Sequence, residues 1–176
     1  MKREFSSLSP RETLHLAVFI EQRNADLYRQ FGELFDRFDD PESSEIAATF
    51  WEMAEEEEGH GDVLQKRYRE RYGDEVCSIT EDDIREKVEV PKIDSGEIFA
   101  IARAQVSPVP RNRAFEIALM AEQSAMKFYS RLLQTTEDAE LRKLYEELAS
   151  DEDDHIRSLQ KRIKSGILSS AVSNQA

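Results

Sequence analysis

Residues 50–64 have the sequence FWEMAEEEEGHGDVL, in which Glu57 stands three residues before His60. Residues three apart share one face of a helix. The apolar residues of the stretch recur on that same face, which directs this glutamate and this histidine into a core. They are Phe50, Met53, Ala54 and Leu64. Because an unpaired buried carboxylate is costly, the pattern requires a compensating partner, for which a metal ion is the leading candidate.

A second stretch repeats the first. Residues 145–159 have the sequence YEELASDEDDHIRSL, which aligns Glu152 with Glu57 and His155 with His60. The apolar positions of the two stretches align as well. One Glu-x-x-His motif is weak evidence in so acidic a chain, whereas its repetition in the same apolar frame points to a shared site.

The repeat also separates the motif glutamate from the acidic residues around it. Within residues 55–58, only the position three before the histidine is glutamate in both copies. Its neighbours pair as Glu56 with Asp151 and Glu58 with Asp153. We interpret these four neighbours as solvated surface.

Composition limits the class of protein. The length of 176 residues fits a single domain, and the high charge with few prolines and glycines favours helices. The net charge of -13 argues against nucleic acid or an anionic membrane as a partner. The single cysteine, Cys77, excludes an internal disulfide and is interpreted as an ordinary loop thiol. The longest apolar runs, residues 16–20 among them, are too short to span a membrane, and no signal peptide is recognisable. We expect a soluble, cytoplasmic protein.

The first helix has a well-marked start. Residues 1–8 are predicted to form a flexible arm. Ser9, Pro10 and Glu12 then supply an N-cap, a proline in the first turn and the partner of a capping box. Helical spacing of apolar residues predicts that this helix continues to about Phe38.

A second helix is predicted from the Asp40 cap to about Tyr72. The connection that follows, residues 73–110, is broken by proline and glycine, with short helices predicted at 81–87 and 95–105. A connection of this length can cross a helix bundle from end to end, so we interpret it as a crossover.

The third helix begins after Pro110, and Thr135 or Thr136 is predicted to cap the fourth. A glycine at position 166 predicts that the fourth helix ends near Lys164. The bundle domain is thus predicted over residues 9–164. The small, polar residues 165–176 are predicted to form a disordered tail, with a docking peptide as the alternative.

The first and third helices form a second repeat. Residues 17–28, AVFIEQRNADLY, align with residues 118–129, ALMAEQSAMKFY. The chain is therefore two copies of a helix hairpin, and the predicted fold is an all-α four-helix bundle. Four glutamates and two histidines from four facing helices are the ligand set of carboxylate-bridged di-iron and di-manganese bundles. The six predicted ligands are Glu21, Glu57, His60, Glu122, Glu152 and His155.

Charge and ligand type favour two metal ions. Four glutamates supply about -4 and two divalent ions about +4, which makes a buried site neutral. Glu57 and Glu152 are predicted to bridge the ions, with Glu21 and Glu122 as terminal ligands. Carboxylate and imidazole ligands suit iron, manganese or zinc, of which iron has useful dioxygen and peroxide chemistry. The alternative is a bundle without metal, in which the inward glutamates and histidines satisfy one another.

Two tyrosines occupy matching positions near the predicted ligands. Tyr28 and Tyr129 stand seven residues after Glu21 and Glu122, on the same helix face. They are predicted either to donate hydrogen bonds to a ligand carboxylate across the bundle or to be ordinary core aromatics. His15 has no counterpart in the second repeat and is predicted to be surface or core rather than a ligand.

These motifs resemble the rubrerythrin branch of the ferritin-like superfamily over residues 9–164. The resemblance rests on EQ..A..Y from residue 21, EEEEGH from 55, EQ....FY from 122 and DEDDH from 151. It implies a ferritin-like four-helix bundle with a buried di-iron centre formed by the six residues named above. It also implies reduction of hydrogen peroxide or oxidation of Fe(II), in a homodimer or a larger homo-oligomer.

The chain departs from rubrerythrins proper in two respects. It lacks their four-cysteine rubredoxin-like iron site, so a peroxidase of this type would take electrons from a separate donor, such as a rubredoxin-like protein. Ala125 occupies the position of an additional family carboxylate that is associated with movement of one iron.

Three functions follow from these patterns. The first is a di-iron enzyme that reduces peroxide or dioxygen. The second is ferritin-like oxidation and handling of Fe(II), and the third is a non-enzymatic metal-stabilised scaffold or metal sensor.

Overall fold

The protein is described here by a computed structural model, which covers residues 8–74, 77, 79 and 111–173, with side chains as far as residue 165. These residues form four α-helices, and no strand occurs among them. The predicted all-α four-helix fold is confirmed. The helices are α1 (Pro10–Phe35), α2 (Pro41–Tyr72), α3 (Arg111–Thr135) and α4 (Ala139–Ser173).

The first helix begins as the sequence predicts and ends earlier. Ser9 Oγ accepts a hydrogen bond from the Glu12 backbone N–H, and the Glu12 carboxylate accepts one from the Ser9 N–H. The predicted end at about Phe38 is wrong, because α1 stops at Phe35 and the next residues form tighter i→i+3 turns. Phe38 still packs against the core, so the apolar pattern of the sequence extends beyond the last residue of the helix.

The predicted caps of the fourth helix, Thr135 and Thr136, are wrong. Asp138 caps α4, since its Oδ1 accepts hydrogen bonds from the backbone N–H groups of Glu140 and Leu141 at 3.0 Å each. The Arg71 guanidinium also donates two hydrogen bonds to this carboxylate. The arginine comes from the other hairpin, so the sequence of the loop alone does not reveal this contact.

The predicted end of the fourth helix near Lys164 is also wrong, because α4 continues to Ser173. A glycine inside a helix costs about 1 kcal/mol relative to alanine, which is too little to force an end. The predicted short helices at 81–87 and 95–105 lie outside the described residues, as does nearly all of the predicted arm. The division into arm, bundle and tail stays a prediction.

The two hairpins pack antiparallel to each other. α1 packs along α2, α3 packs along α4, and α1 also contacts α3. At one end of the bundle Arg71, near the end of α2, binds Asp138. At the other end Arg111, at the start of α3, binds Asp40 and Glu42. α2 therefore ends at one end of the bundle and α3 begins at the other, and the connection predicted as a crossover lies almost entirely outside the described residues.

A charged layer divides the apolar core into two clusters. One cluster contains Phe31, Phe50 and Phe115, and the other contains Leu132 and Tyr145. On every helix the residues of the two clusters are separated by one buried glutamate. Those four are Glu21, Glu57, Glu122 and Glu152. The apolar halves therefore hold the bundle together on either side of a polar layer that they also shield from water.

The packing of the Trp51 side chain of α2 against α1 depends on a glycine. A Cβ at Gly32 would lie 2.7 Å from Cε2 of Trp51, whereas a Cβ at Gly59 meets nothing within 4 Å. The Trp51 indole N–H is in turn held by Asp36 at 2.9 Å. Gly32 is thus required for the tryptophan to pack flat against α1.

These two glycines provide a matched test of helix packing. We expect Gly32→Ala to destabilise the protein by about 1 to 3 kcal/mol through overpacking against Trp51. Gly59→Ala is expected to stabilise it by about 0.5 to 1 kcal/mol, because alanine is the better helix former at an open position. Urea unfolding of both variants checks this, and equal effects from the two would contradict it.

Candidate metal centre

Four carboxylates lie in one fully buried layer at the middle of the bundle. The side chains of Glu21, Glu57, Glu122 and Glu152 are each 0 % exposed. Each helix contributes one of them, because the two repeats place a glutamate on the inward stripe at the same height. Four carboxylates this close repel one another, so protons or bound cations would stabilise the layer.

Oxygen and nitrogen atoms in this layer form two overlapping groups, in each of which all ligand atoms lie within 4.8 Å of one another. Glu57 and Glu152 belong to both groups. The first group adds Glu21 and His60, and the second adds Glu122 and His155. The structure thus brings together all six residues that the sequence predicts as ligands. The shared position of two glutamates is the arrangement that bridging carboxylates require.

Both imidazoles point the same ring nitrogen into the layer. Nδ1 of His60 lies 3.2 Å from Glu21 Oε2. Nδ1 of His155 lies 3.2 Å from Glu57 Oε1 and 3.5 Å from Glu122 Oε1. Each histidine therefore offers Nδ1 to its group of carboxylates.

The opposite ring nitrogens contact acidic residues that we interpreted from sequence as solvated surface. Nε2 of His155 lies 2.8 Å from Glu56 Oε2, and Nε2 of His60 lies 3.4 Å from Asp151 Oδ2. That interpretation is incomplete, because both carboxylates are exposed and yet contact a site histidine. The available signal was that both repeats carry an acid immediately before the motif glutamate. Each contact reaches the other hairpin, which no spacing within one helix predicts.

The two tyrosines bond crosswise to the terminal glutamates. The Tyr28 hydroxyl donates to Glu122 Oε1 at 2.5 Å, and the Tyr129 hydroxyl donates to Glu21 Oε1. Each bond joins the first helix of one hairpin to the first helix of the other. His15 belongs to neither group; it is half-buried, with its ring 5.9 Å from that of Tyr68.

The proton affinities of the site reflect its crowding. Burial, and then the charge of neighbouring carboxylates, raise the pKa of both Glu57 and Glu152 well above the usual value. Burial also acts to raise the pKa of Glu122, but hydrogen bonds to this carboxylate outweigh it and lower the pKa. Burial opposes charge on His155, yet its contacts with Glu122 and Glu57 raise its pKa to about 11. Protons therefore compete with any cation for this site.

The donor atoms fit a pair of metal ions. Both oxygens of Glu57, both oxygens of Glu152, Oε2 of Glu122 and Nδ1 of His155 are buried without a hydrogen bond of normal geometry. Buried polar atoms are normally satisfied, so this many in one place favour a ligand such as a metal ion. In the alternative, glutamates and histidines satisfy one another, and the contact between His155 Nδ1 and Glu57 Oε1 at 3.2 Å is of that kind.

Two antiparallel helix hairpins around a buried carboxylate and histidine layer define a ferritin-like protein with a candidate two-metal centre. The chain belongs to the rubrerythrin family, whose model matches residues 12–163. No curated protein matches it.

A solved structure supports the same fold. An uncharacterized conserved protein from Magnetospirillum magnetotacticum MS-1 superposes with a TM-score of 0.69 at 20% sequence identity, covering 90% of this chain and 95% of that one. No helix among the described residues carries an apolar stretch that could cross a bilayer.

The raised pKa values predict how the metal-free protein responds to pH. Unfolded glutamate releases its proton above about pH 4.5 and unfolded histidine above about pH 6.5, whereas folded Glu57, Glu152 and His155 retain theirs to higher pH. The folded state then binds more protons, so the free energy of unfolding should fall as pH rises from about 5 to 9.

Urea unfolding in the presence of a chelator measures this slope. The double variant Glu57→Gln, Glu152→Gln should show a shallower slope, because two of the groups responsible no longer titrate. With zinc bound the slope should reverse, since metal binding requires deprotonated ligands. A free energy of unfolding that rises with pH in the metal-free protein would contradict this account.

The tyrosine hydroxyls are expected to support metal binding through the glutamates that they contact. Tyr28→Phe and Tyr129→Phe should each weaken zinc binding roughly tenfold, because Glu122 and Glu21 lose a hydrogen bond that orients them. The matched control is Tyr145→Phe, another fully buried tyrosine, whose hydroxyl bonds to none of the four glutamates. Competition titration measures the affinities, and an equal loss in all three variants would refute the proposed support.

Proposed function

We propose that this protein is a non-haem di-iron oxidoreductase that reduces hydrogen peroxide or dioxygen with electrons from a separate donor protein. The observation that carries the proposal is the pair of overlapping ligand groups, which share Glu57 and Glu152 and each have one histidine. Two ions bridged by two carboxylates would balance the charge of the four glutamates.

Iron fits the chemistry of the donor set. The groups offer carboxylate oxygen and imidazole nitrogen, and the chain's only cysteine, Cys77, is not among them. Such ligands suit iron, manganese and zinc. Zinc is redox-inert, whereas ferrous iron reacts readily with peroxide and dioxygen, so we propose iron. When bound, two ferrous ions supply the two electrons that, with two protons, convert hydrogen peroxide into two molecules of water.

Two tyrosines of the chain keep their hydroxyl protons and orient two of the site glutamates. Burial and the adjacent carboxylates raise the pKa of Tyr28 and Tyr129 well above 10, so both remain hydrogen-bond donors at neutral pH. Their bonds orient Glu122 and Glu21. The apolar clusters above and below the layer exclude water from the ends of the bundle, which leaves its sides for access.

A groove between α2 and α4 reaches both histidines. It has a volume of about 500 Å³ and is lined by four acidic side chains and one arginine, Arg162, together with His60 and His155. The acidic residues are Glu52, Glu56, Asp151 and Asp154. A small neutral oxidant can enter such a groove, and its excess of acidic over arginine side chains favours the entry of cations.

This groove also favours a second candidate function, ferritin-like oxidation and handling of Fe(II). In that case Fe(II) is the substrate, drawn to the site through the acidic groove. Ala125, three residues after Glu122, is buried among apolar side chains and offers no further carboxylate. The site then consists of the six residues of the two ligand groups, with no carboxylate at position 125.

Anaerobic Fe(II) titration, followed by stopped-flow mixing with peroxide and separately with dioxygen, tests both candidates. We expect two Fe(II) per chain and oxidation at least tenfold faster by peroxide than by dioxygen. Glu57→Gln and Glu152→Gln should lose two-iron binding, whereas Glu55→Gln, an exposed neighbour on α2, should behave as the wild type.

Each other outcome has a clear meaning. Fast oxidation by dioxygen with continued uptake of Fe(II) would favour iron handling. Tight zinc binding without any iron oxidation would favour a metal-stabilised scaffold or sensor. Failure of the wild type to bind iron would refute the di-iron centre. An external donor such as a rubredoxin-like protein and assembly into a homodimer or larger oligomer are part of this proposal.

A further inference from the structure

Each site histidine contacts an acidic side chain that belongs to the opposite hairpin. His155 on α4 contacts Glu56 on α2, with 2.8 Å between Nε2 and Oε2. His60 on α2 contacts Asp151 on α4, with 3.4 Å between Nε2 and Oδ2. Glu56 and Asp151 occupy equivalent positions in the repeat, so one arrangement occurs twice.

The chemistry of imidazole decides which atom donates and which accepts the hydrogen bond in these contacts. Nδ1 of both rings faces the buried carboxylates. A neutral imidazole that coordinates through Nδ1 carries its proton on Nε2, and this N–H needs an acceptor. A carboxylate acceptor locks the tautomer, fixes the plane of the ring and makes Nδ1 a stronger ligand.

We propose that Glu56 and Asp151 are positioning residues of the metal centre, each of which orients the histidine of the opposite hairpin so that Nδ1 faces the metal. This inference rests on the proposed two-metal function and adds two residues to it. A consequence is that neither hairpin holds its histidine in place alone, so metal affinity depends on docking of the two hairpins.

Neighbouring acidic residues do not share this arrangement. Glu58 pairs with Arg29 at 3.0 Å, and Asp154 pairs with Arg157 at 2.7 Å. Both are ordinary ion pairs at exposed positions, which contribute little to stability. The Glu56 side chain is itself 58% exposed, so its contact with His155 is expected to matter for the metal rather than for folding.

Cobalt(II) titration of the full chain tests the proposal through both affinity and the visible absorption spectrum. We expect Glu56→Ala to weaken one of two bound ions, the one on the His155 side, by about tenfold and to shift its absorption bands. Glu56→Gln keeps a hydrogen-bond acceptor without the charge, so it should recover part of the loss. Asp151→Ala should weaken the other ion, and by less, because its contact is longer.

The control is Glu55→Ala, which removes the same charge from an exposed position on α2. Unfolding of each metal-free variant shows whether the bundle is intact. The inference is overturned if wild-type protein binds two cobalt ions and Glu56→Ala and Asp151→Ala bind both with the affinities and spectra of Glu55→Ala. Failure of the wild type to bind cobalt would instead refute the two-metal function on which the inference rests.

Discussion

Burial of four carboxylates in a single layer is the constraint on which the rest of this structure depends. Glu21, Glu57, Glu122 and Glu152 are all inaccessible to solvent, and each sits between two apolar clusters on its helix. Such a layer repels itself, and hydrogen bonds satisfy only part of it. The large apolar clusters hold the helices together in spite of that repulsion. Cation binding at the centre is therefore favourable, because it relieves the repulsion among the carboxylates.

The repeat of the two hairpins determines the contacts around that layer. The tyrosines bond crosswise to the terminal glutamates, and the histidines contact acidic residues crosswise as well. These four contacts each join the two halves of the chain, whereas the contact of His60 with Glu21 lies within one hairpin. The site therefore forms only when the two hairpins pack together, and its geometry depends on that packing.

The elements and the site residues were largely predictable, and the errors have physical causes. The repeated Glu-x-x-His motif predicted four inward residues and the repeat of the first and third helices two more, because helical periodicity assigns each side chain to a face. Helix ends were less predictable. Phe38 continues the apolar pattern beyond the end of α1. A glycine failed to stop α4, because its cost of about 1 kcal/mol is too small to force an end.

The sequence by itself determined the class of fold, the two hairpins and the residues that face inward, since these follow from local periodicity and from repetition. Only the tertiary structure decided which atoms meet. It assigned Nδ1 of both histidines to the buried layer, gave Glu57 and Glu152 to both ligand groups, and placed Glu56 against His155. These contacts join residues far apart in sequence, and their geometry depends on the relative position of whole helices, which no local pattern encodes.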